Sequence, residues 1–142
     1  MYLSVFVGRV LPVLAVFMTL TSGNVNAQVQ TFEINRTDLA INYVIDGVSD
    51  PDLVLVRGKT YVFQLSTPGH PFCIKTAPTR GDVSDRFDSG VTNNCIATGT
   101  LTFVVPLNAP DLLYYICSLH ISMTGQIQII DDLPLFEDGF ES

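Results

Sequence analysis

In the segment YYICSLHISMTGQI, Tyr114 to Ile127, a thiol, an imidazole and a thioether recur at three-residue intervals: Cys117, His120 and Met123. The chain has one further histidine, His70, in TPGHPFC. Thiolate, imidazole and thioether are soft or borderline donors. Two His, one Cys and a weakly bound Met together select copper in trigonal electron-transfer sites. Zinc has little use for a thioether, and C-x2-H alone is a weak zinc pattern. A c-type haem needs C-x-x-C-H, and ICSLH lacks the second cysteine. If all four positions are filled, no open coordination place is left for a substrate, which argues against an enzyme.

These residues need a scaffold that brings them to one place. The sequence offers short β-runs separated by turn signals and no convincing helix. QTFEI and LAINYVI come first, then the turn-rich DGVSDPD. LVLV, the turn RGK and TYVFQLS read as a hairpin. TLTFVV, LLYYIC and GQIQII follow a polar excursion, APTRGDVSDRFDSGVTNNCIATG. Seven or eight such strands predict an antiparallel sandwich or barrel. Cys117 would end LLYYIC, and the turn SLHISMTG would bring His120 and Met123 to the same pole. Gly125 is expected to permit the sharp return into QIQII. His70 arrives from a distant strand, so a metal there would tie the two halves of a sandwich together.

Three cysteines leave one unpaired. Strand alternation in HPFCI puts His70 and Phe72 on one face and Cys73 on the other. Cys95, in TNNCIATG, could fold over that outer face. A Cys73–Cys95 bridge would close a loop of about twenty residues, worth roughly 3 kcal/mol in the chain-entropy model. Cys117 is then the free thiol. The alternative, Cys117 paired with one of the others, would abolish the site.

Residues 1–27 read as a secretory leader: Arg9, the apolar run VLPVLAVFMTL, then TSGNVNA with small Val25 and Ala27 at the cleavage positions. The run is shorter than the roughly 20 residues a membrane span needs. Arg9 is the leader's only charge, so the formal balance of −7 becomes more negative on cleavage. An acidic exported chain is a poor nucleic-acid binder, because phosphate attraction needs a basic face. The expected product is one domain, 28–130, a monomer with no membrane span, followed by an acidic tail, 131–142. That tail resembles the DGFE-type endings of some exported bacterial proteins.

GHPFCIKT, GVTNN and APDLLYYICSLHISMTGQI together resemble exported plastocyanin-like domains of the cupredoxin family, over about Tyr43 to Ile130. The resemblance implies an all-β, Greek-key β-sandwich of about eight strands. It also implies one type 1 copper ion, cycling between Cu(I) and Cu(II), on His70, Cys117, His120 and Met123. Its role would be to shuttle one electron between protein partners, with His120 at the exit edge. Copper storage or delivery, and a binding module with structural copper, are the rival roles. The chain departs from plastocyanin and pseudoazurin in three ways. Only Ile121 and Ser122 separate His120 from Met123. Pro71 stands where Asn usually follows the first His, so an N–H donor is lost there. Cys73 and Cys95 are additional, which fits a local disulfide.

Other features have plainer readings. Tyr114 and Tyr115 are expected to point to opposite faces of one strand. Asp82, Asp85 and Asp88, interleaved with Arg80 and Arg86, read as a solvated loop without the ordered spacing of a calcium loop. Asn35 begins an N-x-T sequon, which matters only in a eukaryotic secretory pathway.

Overall fold

The computed structural model describes residues 29–36 and 41–133. The leader expected at 1–27 and residues 134–142 of the expected tail lie outside the described residues. An all-β sandwich is what the sequence predicts, and one forms. Its first sheet holds β1 (Gln30–Arg36), β2 (Tyr43–Ile45), β3 (Val48–Ser49), β5 (Thr60–Ser66), β7 (Val91–Thr92) and β8 (Thr98–Val104), in the order β3-β2-β1-β5-β8-β7. Its second holds β4 (Leu53–Val56), β6 (Phe72–Lys75), β9 (Leu112–Cys117) and β10 (Thr124–Ile130), in the order β4-β10-β9-β6. The count exceeds about eight because β3 and β7 are two-residue pairings. From β4 to β6 the chain alternates between sheets, and from β8 to β9 it crosses again.

Period-2 alternation places the core. Phe32 and Ile34 of β1, Tyr61, Phe63 and Leu65 of β5, and Leu101 and Phe103 of β8 face inward from the first sheet. Leu53, Leu55, Leu113, Tyr115, Ile127 and Ile129 answer them from the second. Burying a side chain of this size contributes about 1.5–3 kcal/mol. Tyr115 is fully buried and Tyr114 only partly so, as the alternation predicts.

Two expectations need correction. The sheets are mixed: β1 runs parallel to β5, and β10 runs parallel to β4. LVLV and TYVFQLS do not form a hairpin. β4 pairs with β10 and β5 with β1 and β8, so the RGK segment crosses between sheets. The Arg57 N–H donates to the Ile130 carbonyl (2.9 Å) and the Val105 N–H donates to the Lys59 carbonyl (2.9 Å), one bond into each sheet. A three-residue turn that shares its bonds in this way rolls the chain over the sandwich edge. The tight hairpin turn lies earlier instead, at Asp46–Gly47 between β2 and β3, where both residues have positive φ (47° and 85°). That is the conformation a two-residue type I′ turn requires.

Gly125 also acts differently from expectation. Its φ is not among the positive ones. A Cβ at this position would lie 2.3 Å from the Tyr115 hydroxyl oxygen. The residue is small so that the Tyr115 ring can lie across β10 and donate its hydroxyl to the Pro51 carbonyl (2.8 Å).

Candidate metal centre

β6 and β9 build the site between them. Phe72 lies opposite Cys117 in their antiparallel ladder, so Cys117 ends β9 beside the start of β6. His70 stands two residues before Phe72, past the end of that strand. A turn through Thr67-Pro68-Gly69-His70 delivers it, closed by the His70 N–H donating to the Thr67 carbonyl (2.8 Å). Pro68 presets the first central φ and Gly69 supplies the positive one (80°), as a type II turn needs.

The β9–β10 connection returns His120 to the same pole. The Cys117 N–H donates to the Met123 carbonyl (2.9 Å), and the Met123 N–H donates to the His120 carbonyl (3.1 Å). The His70 and His120 Nδ1 atoms are 3.1 Å apart. Cys117 Sγ lies 3.8 Å from the first and 3.6 Å from the second. One donor atom from each residue falls within 4.8 Å of the others. Cys117 is buried and unpaired, His70 is half-buried, and His120 is exposed. Met123 is fully buried in the same apolar core as Cys117. The sequence-derived residues His70, Cys117 and His120 thus meet, and Met123 closes the loop that carries two of them.

Electrostatics favour a metal-ready state. Burial, then His120 and Arg36, lower the His70 pKa, which favours the neutral imidazole, the form that binds metal. Burial, then the neighbouring Cys117, hold Tyr43 well above the ordinary tyrosine range. Its hydroxyl therefore keeps its proton.

A backbone network around the cluster was not legible in the motifs. The Tyr43 hydroxyl lies 3.0 Å from both the His70 and the Pro71 carbonyls. Thr67 Oγ1 is 2.9 Å from the His70 carbonyl and 2.9 Å from that of Ala97. The Ser118 N–H donates to the Pro71 carbonyl (3.1 Å), and the Gly81 N–H donates to the Ser118 carbonyl (2.9 Å). Pro71 cannot donate, but its carbonyl accepts from both sides. Alternation could have marked Tyr43 as inward-facing. No sequence signal names the carbonyls its hydroxyl reaches.

The second face of β6 is closed by the polar excursion. Cys73 and Cys95 form a disulfide, which leaves Cys117 free as the alternation predicts. Asn94 works as a substitute strand. Its Oδ1 accepts from the Ile74 N–H (2.8 Å), while its amide donates to the carbonyls of Ile74 (3.1 Å) and Phe87 (3.0 Å). The fully buried Lys75 donates through Nζ to the carbonyls of Thr79 (2.8 Å) and Gly81. Asp82, Asp85 and Asp88 remain exposed, as expected of a solvated loop. Among the described residues no buried side-chain nitrogen or oxygen lacks a partner, which is the condition for burying so polar a layer.

No protein-family model matches the chain, and no curated protein matches it either. Solved structures do. A rusticyanin variant aligns at 17% identity over 72% of this chain and 77% of its own, with a TM-score of 0.49. Rusticyanin from Thiobacillus ferrooxidans aligns at 20% identity over 72% and 77%, with a TM-score of 0.48. A multicopper oxidase variant from Aquifex aeolicus aligns at 19% identity over 74% of this chain and 27% of its own, with a TM-score of 0.41. At these values the functional reading rests on the site alone.

Proposed function

We propose that this chain is an exported cupredoxin-type copper protein that carries one electron at a time between protein partners. One observation carries the reading: two imidazole Nδ1 atoms and one thiol sulfur, from separated segments, converge to 3.1–3.8 Å at one pole of the sandwich. Two imidazoles and a thiolate, with a buried methionine in the loop that carries two of them, fit copper better than zinc or haem iron. His70, Cys117 and His120 would hold the ion, and Met123 would be the weak fourth donor. Copper so held would supply a one-electron couple between Cu(I) and Cu(II).

The chain's own residues do the rest. Cys117 and Met123 are fully buried, which shields both sulfurs from water and oxidants. Two strands and three backbone hydrogen bonds hold the donors, so little rearrangement need accompany a change of charge. Exposed His120, flanked by exposed Leu119 and Ile121, is the edge at which a partner can approach. Export is supported by the leader pattern at 1–27 and by the Cys73–Cys95 disulfide, since disulfides persist in oxidising compartments.

Voltammetry on the copper-loaded chain from residue 28 tests the role. A reversible one-electron wave, with metal retained against a chelator for hours, is the expected result. Metal surrendered within seconds and no reversible wave would instead indicate storage or delivery. The mass of the exported protein checks cleavage after Ala27.

A further inference from the structure

We propose that Tyr43 is the positioning residue of the donor cluster. Its hydroxyl, reaching over from the opposite sheet, fixes the His70–Pro71 backbone. Through the Pro71 carbonyl it also fixes the start of the Cys117–His120 loop, so His70 and Cys117 stand at coordinating distance before any metal arrives.

His70 and Cys117 sit on separate segments, and a link between those segments is needed to keep their side chains in register. An Asn after the first histidine could supply such a link, but Pro71 has no N–H. Here the link is inverted, with the Pro71 carbonyl as its centre. Ser118 donates to that carbonyl from the Cys117 side at 3.1 Å, and Tyr43 reaches it at 3.0 Å from β2. A carbonyl oxygen has two lone pairs, so it accepts both. The same hydroxyl is 3.0 Å from the His70 carbonyl, which also lies 2.9 Å from Thr67 Oγ1. One phenolic proton is therefore shared between consecutive peptide groups on the His70 side.

Tyr43 is itself held on every side. Its N–H donates to Asp50 Oδ1 (2.8 Å), and the residue pairs with Arg36 in the β1–β2 ladder. Its ring meets Phe72 edge-on at 5.1 Å and Tyr115 edge-on at 6.1 Å. Burial of the whole ring holds that hydroxyl in place, with the Cys117 side chain as a further neighbour. β2 belongs to the six-stranded sheet and the cluster to the end of the four-stranded one. The hydroxyl thus ties the cluster to the opposite half of the sandwich.

The test compares Tyr43→Phe with Tyr61→Phe in the chain from residue 28. Both substitutions delete a buried hydroxyl, but that of Tyr61 serves the Val56 N–H (2.9 Å) at the end of β4. Two readouts are taken. One is the rate at which iodoacetamide alkylates Cys117 in the metal-free protein. The other is Cu(I) affinity by chelator competition, with the visible spectrum of the Cu(II) form. Tyr43→Phe alone should alkylate several-fold faster and bind copper roughly 10-fold more weakly, the usual scale for losing an outer support of a metal site. Equal behaviour of the two variants in both readouts would overturn the proposal.

Only the copper arm rests on the functional reading above. If the unsubstituted protein shows no copper band, that reading fails while the alkylation rates still decide on Tyr43. Should Tyr43→Phe fail to fold, NMR of the unsubstituted metal-free protein decides instead. A slowly exchanging Tyr43 hydroxyl proton close to the Ser118 amide is expected, and a rapidly exchanging one would contradict the proposal.

Discussion

Both faces of β6 are buried, but by different means. Inward, Phe72 packs against Phe63, Tyr43 and Tyr115, with ring centroids 5.1–5.7 Å apart. Outward, Cys73 and Lys75 meet an irregular excursion held by a disulfide, an asparagine side chain and a buried ammonium group. The inner face rests mainly on apolar contact between two regular sheets, with the Tyr43 hydroxyl adding a directional link to the His70 and Pro71 carbonyls. The outer face rests on a few directional or covalent links, each of which must be present. The lesson is one of division of labour: the apolar side sets where His70 and Cys117 stand, and the polar side protects the free edge of the strand that carries them.

Substitutions can break this contrast. The largest effect is expected from Phe72→Ala, which should cost about 3–5 kcal/mol and leave a cavity beside the donor cluster. Chemical denaturation should report the loss, and copper affinity should fall with it. Replacing Cys73 and Cys95 together by alanine should cost about 3 kcal/mol through the freed loop, again by denaturation. If the two faces are separable, that variant should keep the copper spectrum unchanged once folded. A spectrum shifted as far as that of Phe72→Ala would mean the faces act as one.

Asn94→Ala should cost about 1–3 kcal/mol, because it strands the Ile74 N–H at the strand edge and takes a donor from the Phe87 carbonyl, while the Ile74 carbonyl keeps the Phe87 N–H (2.9 Å). Hydrogen exchange should show the Ile74 amide losing protection while the Cys117 amide keeps its own.

The smallest effect concerns pH. The His70 pKa is lowered in the fold, first by burial and then by His120 and Arg36. The unfolded chain takes up that proton near the ordinary value of about 6.5. Between the two values the unfolded state binds more protons, so stability of the metal-free protein falls as pH drops below that point. Melting temperatures at successive pH values should decline more steeply in the parent than in His70→Gln.

The inner side of this division is the part a sequence displays. The alternation in TYVFQLS, TLTFVV and LLYYIC is a periodic signal, and the strands and core residues follow from it. The spacing of Cys117, His120 and Met123 likewise marks a local turn. His70 could be added as the second of two histidines, although it stands in a turn before β6 and not within the alternating strand. What remained illegible was set by non-local geometry. Nothing in LVLV-RGK-TYVFQLS distinguishes a hairpin from a step between sheets, because inward residues alternate equally in both. Gly125 looks like a conformational glycine until the Tyr115 ring is placed over it. Tyr43 reads as one more core aromatic, since a hydroxyl's acceptors depend on a loop twenty-seven residues away.

The pole of the sandwich is proposed to be a copper–thiolate site. The measurement that reaches it most directly is a Cu(II) titration of the chain from residue 28, followed by visible absorption and EPR, beside Cys117→Ser. An intense visible band with narrow copper hyperfine splitting, absent in Cys117→Ser, is the predicted result. A weak band with wide splitting, the same in both proteins, would contradict it.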